Sequence, residues 1–194
     1  MELVNLKLFG PFKFTNGRSS VFSDKLSNER GIYLWTVKYK DGYLVYYVGE
    51  TGKSFNDRFK IHLDNLKSGQ YRIYDPKLFT QGNKKLIWNP YKRGALKRVR
   101  YKKEFNAIYN SIQQQLENYI KLFELFLIPF KDKDRLRLRI EAAISMRLNK
   151  AGEPIGSFQD EDIKYKPRKE TEVTLSVKLS SPFKIHGLQR NLEV

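Results

Sequence analysis

Apolar residues change their spacing several times along this chain, and each change predicts an element. Aromatic and β-branched residues dominate two runs, Gly31 to Tyr39 and Tyr43 to Gly49, separated by Lys40-Asp41-Gly42. Two such runs around a short polar turn predict an antiparallel hairpin. Phe55, Phe59, Leu63 and Leu66 then recur at helical spacing, with Ser54 as N-cap, Asp57 as its capping-box partner and Gly69 as the stop. Lys102 to Asn118 keeps that period through Phe105, Ile108, Ile112 and Leu116. Tyr119 to Phe130 is dense in aromatic and aliphatic residues and ends at Pro129, which predicts a strand buried on both faces. Asp132 or Asp134 opens another helix through Leu136, Ile140, Ala143, Ile144 and Leu148, stopping at Gly152. Val173, Leu175, Val177 and Leu179 alternate with polar residues as in a half-buried strand. Leu3 to Phe14 reads as extended, and Phe22 to Arg30 as a polar connection. Tyr71 to Tyr91 carries turn signals at Asp75-Pro76, Gln81-Gly82-Asn83 and Asn89-Pro90, which predict a long functional loop with short strands.

Length and composition narrow the picture. A chain of 194 residues is most simply one domain, able to bury roughly 70% of its unfolded surface. It contains no cysteine, so disulfides, thiolate metal sites and cysteine nucleophiles are excluded. Met1-Glu2-Leu3-Val4-Asn5 lacks the features of a signal peptide, and the most apolar run is too short to span a bilayer and is broken by Lys121 and Glu124. A cytoplasmic protein with no membrane partner is therefore expected. Charge is the strongest compositional signal: 37 Lys and Arg against 21 Asp and Glu give a net +16, a field that draws polyanions. Lys84, Lys85, Lys92, Arg93, Lys97, Arg98 and Arg100 lie among Trp88, Tyr91 and Tyr101 with no acidic residue between them. Rings that stack on bases beside cations that hold the backbone point to nucleic acid. A solvated basic loop is the plain alternative.

The chemistry rests on an ordered series: Gly31-Ile32-Tyr33, Tyr47-Val48-Gly49, Arg58, His62 and a late helical glutamate, Glu141. This series resembles the GIY-YIG nuclease superfamily, with Val48 replacing the isoleucine of its name. The resemblance spans residues 31–152, with 71–103 as a basic insertion and 1–30 and 153–194 as terminal extensions that add strands. It implies an α+β fold in which helices flank a small antiparallel sheet of three core strands, the third being Tyr119 to Phe130. It also implies cleavage of DNA with one divalent metal, Mg²⁺ or Mn²⁺, on Glu141. Tyr33 would stand near the attacking water, and Tyr47 would contact phosphate or a hydrogen-bonding partner.

Each of these residues has a plainer reading as well. Hydrolysis of a phosphodiester needs a proton acceptor, neutralisation of the phosphoryl oxygens and help for the leaving oxygen. A hard carboxylate such as Glu141 suits Mg²⁺, which keeps several waters, although pairing with Arg137 at helical spacing would also explain it. Arg58 offers a fork of donors to phosphate, and His62 follows on the same helical face. His62 also adjoins the Phe55, Phe59 and Leu66 stripe, where a core histidine would sit. Tyr33 and Tyr47 could simply pack across the strands, and either Tyr33 or His62 could take the proton. Gly31 and Gly49 would allow close approach of phosphate or a packed strand. Asn149 is a further candidate or a helix cap, and Lys53 a phosphate contact or a loop cation.

Register tests the shared site. A two-residue turn at Asp41-Gly42 pairs Lys40 with Tyr43 and sends Tyr33 and Tyr47 to opposite faces. A shared site therefore requires an odd-length loop or a bulge, for example Lys38 opposite Gly42, with Tyr33 opposite Tyr47. The expectation is a restriction-like endonuclease acting on duplex DNA, as a homodimer or in two successive cuts. A catalytically inactive nucleic-acid-binding module and an RNA-binding protein are the alternatives.

Overall fold

The computed structural model describes residues 3–15, 17, 19–91, 98–160 and 163–194, with 98–100 as backbone alone. Two short strands, β1 (Leu3–Lys7) and β2 (Phe9–Lys13), lead into two 3-10 turns, Val21–Ser23 and Lys25–Asn28, capped by the side chains of Ser20 and Asp24. The hairpin follows as β3 (Gly31–Tyr39) and β4 (Gly42–Thr51). Helix α1 (Phe55–Lys67) starts at Ser54, whose Oγ accepts the Asp57 N–H at 3.1 Å and donates to the Asp57 carboxylate at 2.7 Å. The insertion folds as β5 (Ile73–Tyr74), α2 (Pro76–Phe79) and β6 (Leu86–Trp88). Beyond it come α3 (Arg98–Leu122), β7 (Glu124–Pro129), α4 (Asp134–Asn149), α5 (Ile155–Phe158), β8 (Ser176–Ser180) and β9 (Asn191–Glu193).

Boundaries differ from the sequence reading at several points, two of them for a clear physical reason. Tyr119 to Leu122 belong to α3, and the third core strand begins only at Glu124. Tyr119, Ile120 and Phe123 extend the buried stripe of Phe105, Ile112 and Leu116, so a helix end and a buried strand join in one unbroken apolar run that periodicity cannot divide. The last alternating strand starts at Ser176 rather than Val173, which is 76% exposed.

Among the described residues the fold is α+β. The main sheet runs β2-β7-β3-β4, antiparallel throughout, so one terminal strand joins the three core strands. A second sheet, β1-β8-β9, contains one parallel pair, and β5 pairs with β6. One face of the main sheet carries Tyr33, Trp35 and Leu125 against Phe55 and Phe59 of α1 and Leu116 of α3. The other carries Ile32, Leu34 and Phe126 against Ile140 and Ile144 of α4 and Val177 of the second sheet. No helix among the described residues is long and apolar enough to cross a membrane.

The hairpin register resolves the question of the two tyrosines. Its turn has two residues, Lys40 and Asp41, because Tyr39 pairs with Gly42, not Lys38 with Gly42 as the example register had it. Pairing continues to Thr36 opposite Val45 and then shifts, with Trp35 opposite Tyr47 and Tyr33 opposite Gly49. Tyr46 is the extra residue of a bulge. It packs with the aromatic face, as does Tyr47, while Val45 and Val48 on either side pack with the other. The bulge thus restores Tyr47 to the face of Tyr33, and the two rings lie 6.0 Å apart diagonally rather than directly opposite. The C-terminal segment secures this irregularity: Gln159 Nε2 donates to the Val45 carbonyl at 2.5 Å, and the Asp160 N–H to the Tyr46 carbonyl at 2.7 Å.

Candidate active site

Tyr33 is completely buried at the centre of the aromatic face. Arg58 Nε donates to its hydroxyl at 3.1 Å, and His62 Nε2 lies 2.7 Å away. A guanidinium can only donate, so the hydroxyl proton needs another acceptor; Tyr33 also shares a hydrogen bond with Tyr47, and of the two the neutral imidazole nitrogen of His62 is the stronger base. Burial and the neighbouring Arg58 charge hold His62 down to about 3, so it is neutral. With Nε2 accepting, Nδ1 carries the proton and donates to the Tyr71 hydroxyl at 2.9 Å, which also accepts from Asn65 Nδ2 at 3.0 Å. Tyr33, His62 and Tyr71 therefore form a directed chain in which the Tyr33 proton is held by His62 Nε2 and the Nδ1 proton by the Tyr71 oxygen.

The same contacts set the resting state of the tyrosines. Burial pushes Tyr33 well above its ordinary value and Tyr47 acts in the same direction, while Arg58 opposes both. Tyr47 is raised by burial too, with Arg58 opposing and Glu141 adding to the rise. Both are phenols, and neither is a base until something removes a proton or adds a cation.

The two glycines serve these packed groups. A Cβ on Gly49 would lie 2.5 Å from Tyr33 Cζ, 2.6 Å from the Tyr33 hydroxyl and 2.6 Å from Tyr47 Cε1. Gly49 is the space in which the two rings meet. Gly31 has φ +156°, and a Cβ there would lie 2.1 Å from the Ile128 carbonyl oxygen of β7. It permits strand packing instead.

Glu141 reaches the cluster from α4. It is buried, and burial followed by the nearby Glu50 carboxylate raises it to about 7; the Glu50 backbone N–H, Arg58 and Arg137 oppose that rise. Arg137 is engaged elsewhere, with Glu50 at 2.6 Å and Asp134 at 2.9 Å. The simple helical pair of Arg137 with Glu141 is thus replaced by Arg137 bridging α4 to β4. A carboxyl kept from ionising by burial and a like charge is stabilised by any cation that binds it, so Glu141 fits a divalent ion. Among the described residues no group of three or more His, Cys, Asp or Glu residues gathers there. An ion would rest on one protein carboxylate, with water and phosphate oxygens completing its shell, as Mg²⁺ accepts.

The remaining candidates divide. Lys53 is exposed in the turn before α1. Lys85 is exposed, whereas Lys84 Nζ donates to the Gln159 carbonyl at 2.7 Å and so ties the insertion to the C-terminal segment. Lys92, Arg93 and Lys97 lie outside the described residues; Arg98 and Arg100 begin α3, described there as backbone only. Asn149 is exposed at the last position of α4, about 12 Å along the axis from Glu141. It is not brought to the cluster, and Lys150 is the C-cap.

Four contributors escaped the sequence reading. Asn65 completes an i, i+4, i+7 stripe with Arg58 and His62, a spacing that could have revealed it. Glu50 follows the second motif directly. Tyr71 opens the irregular insertion, where no periodicity marks it. Tyr165, raised by burial to about 12, with Tyr47 and Glu141 adding to the shift, approaches from the C-terminal segment. No family model, curated protein or solved structure matches the chain.

Proposed function

We propose that the protein is a divalent-metal-dependent endonuclease of the GIY-YIG type that hydrolyses DNA. The observation that carries this reading is the Tyr33 hydroxyl held between Arg58 and His62, with the buried Glu141 carboxyl in electrostatic reach of the same arginine. Buried titratable groups with shifted proton affinity beside a specific charge partner in a cleft are candidate chemical sites. The net charge of +16 supplies the attraction for a polyanion.

Arg58 uses Nε on Tyr33 and also hydrogen-bonds Tyr47; a phosphate would take its remaining N–H donors. Phosphate on Arg58 offsets the charge that helps hold His62 deprotonated, so substrate itself raises the basicity of His62. His62 then takes the Tyr33 proton on Nε2 and carries the charge as imidazolium, while its Nδ1–H keeps donating to the Tyr71 oxygen and so holds the ring in place. Tyr33 in turn takes a proton from the attacking water. A divalent ion on Glu141 would neutralise charge on the phosphoryl and leaving oxygens. A duplex is cut on both strands by two copies or in two successive events.

Plasmid DNA incubated with the protein, with and without Mg²⁺ or Mn²⁺, tests the proposal beside Glu141→Ala. Metal-dependent nicking or linearisation, reduced at least a thousandfold in the variant, is expected. Binding without cleavage under every metal would replace it with an inactive DNA-binding module. Preferential binding of RNA without DNA cleavage would replace it with an RNA-binding protein.

A further inference from the structure

Beside the Tyr33–His62 pair, the aromatic face and the insertion enclose a cleft of about 140 Å³. Trp35, Tyr47 and His62 line it from the core, and Tyr71 and Tyr91 from the insertion. Three charged side chains also line it: Arg58, Arg72 and Asp160. Arg72 lies over the Tyr91 ring at 5.1 Å and pairs with Asp160 at 3.4 Å, with their side chains only 12% and 26% exposed. Asp160 is itself anchored to the hairpin bulge through its backbone N–H. Trp35 is 3% exposed, and its Nε1 is buried with no hydrogen-bond partner among the described residues.

We propose that this cleft receives one unstacked cytosine, the base of the nucleotide whose phosphate Arg58 holds. The proposal rests on the nuclease reading and names the form of its substrate. Size comes first: a closed cavity of about 150 Å³ is filled by a single benzene-sized ring, so one pyrimidine ring fills this cleft, whereas a purine leaves its second ring outside it. Aromatic walls suit a base, since each stacked base contributes roughly 1–3 kcal/mol. A second phosphate is a poor occupant, because the charges of Arg72 and Asp160 cancel.

Polar groups select among pyrimidines. The cleft offers a carboxylate acceptor in Asp160 beside the several N–H donors of Arg72. The pairing edge of cytosine runs from an amino donor to two acceptors, which matches that set. Thymine presents carbonyl acceptors on both sides of one N–H, and one of them would face the Asp160 carboxylate. A base can enter only by leaving its stack, so DNA unpaired at the cut is favoured over intact duplex.

The four deoxynucleoside monophosphates, titrated by NMR against the full chain without metal, test the cleft apart from cleavage. We expect dCMP to bind about tenfold more tightly than dTMP and to exceed both purine nucleotides. Tyr91→Ala, at a ring that is 57% exposed, should weaken dCMP at least fivefold without unfolding the protein. Asp160→Asn should remove the preference for dCMP over dTMP while leaving the circular dichroism spectrum unchanged. Equal binding of all four nucleotides, or no response to either variant, overturns the cleft even if plasmid is cut. Selective dCMP binding that responds to both variants upholds it as a cytosine site even if no DNA is cut, in which case the nuclease reading alone fails.

Discussion

The two faces of the main sheet solve different problems. Ile32, Leu34, Ile140 and Ile144 belong to a mainly aliphatic layer that also holds Tyr43, Phe126 and Phe130, and its contacts are almost all apolar. On the opposite face the rings of Tyr33, Trp35, Tyr47 and Tyr71 lie around His62, in a layer that includes Tyr46, Phe55 and Phe59, and the hydroxyls and imidazole there depend on one another. Polar groups out of water must keep their partners or lose several kcal/mol. The aliphatic face is therefore tolerant in chemistry and strict in volume, whereas the aromatic face is strict in both. Arg137 and Glu141 lie on α4, which packs on the aliphatic side, yet they act at the β4 edge, where the second motif passes between the faces.

Two substitutions break the comparison most sharply. Tyr33→Phe keeps the ring and removes the oxygen to which Arg58 and His62 bond. Loss of a positioned proton-transfer group reduces rates by about 10²–10⁴, and loss of the hydrogen bonds costs about 1–2 kcal/mol of stability. Cleavage should thus fall by two to four orders of magnitude while denaturation shifts little. Leu34→Ala, one residue along and on the other face, should show the converse. It costs about 2–5 kcal/mol in denaturant titrations and leaves kcat near that of the parent wherever the variant remains folded. Equal kinetic losses in the two variants would remove the distinction between the faces.

The hairpin and α1 were legible because their signals are local. Ser54 and Asp57 cap the helix whatever surrounds it, and the turn residues of the hairpin announce themselves. Even the bulge followed from a constraint, that Tyr33 and Tyr47 share a face, although its position at Tyr46 did not. That position depends on Gln159 and Asp160, more than a hundred residues later, taking the carbonyls of Val45 and Tyr46. The division between α3 and β7 was hidden for another reason: Tyr119 to Phe130 is apolar in both the helix end and the strand. Tyr71 and Arg72 were illegible because they matter only once the insertion folds back over His62. Gly49 was read as room for phosphate or a strand, but it is room for two rings.

Glu141 allows the next comparison, between a charge the fold resists and its neutral replacement. Its carboxyl titrates at about 7 in the folded protein, against 4.5 ordinarily. Below pH 4.5 both states are protonated and no penalty exists. The penalty grows as pH rises through that interval and is complete above 7. Glu141→Gln carries none, so at pH 8 without metal it should be more stable than the parent by on the order of 2–3 kcal/mol. The two should converge near pH 4.5, and Mg²⁺ should raise the melting temperature of the parent alone. A difference that is constant with pH would mean that the Glu141 charge is not what the fold resists.

The smallest effect is the most diagnostic of the aromatic face. Tyr71→Phe leaves the ring beside His62 and takes away the oxygen that receives the Nδ1 proton and the Asn65 amide. His62 keeps Tyr33 on its other side, so the imidazole is held by one partner instead of two and its tautomer is no longer enforced. A loss of about tenfold in kcat with KM unchanged is expected, equivalent to about 1.4 kcal/mol in the barrier. Nitrogen-15 shifts of the ring should show the Nδ1–H form giving way to a mixture. Asn65→Ala, which spares the Tyr71 oxygen, should do neither. If Asn65→Ala matches Tyr71→Phe in rate and in the nitrogen shifts, Tyr71 serves as packing and the chain ends at His62.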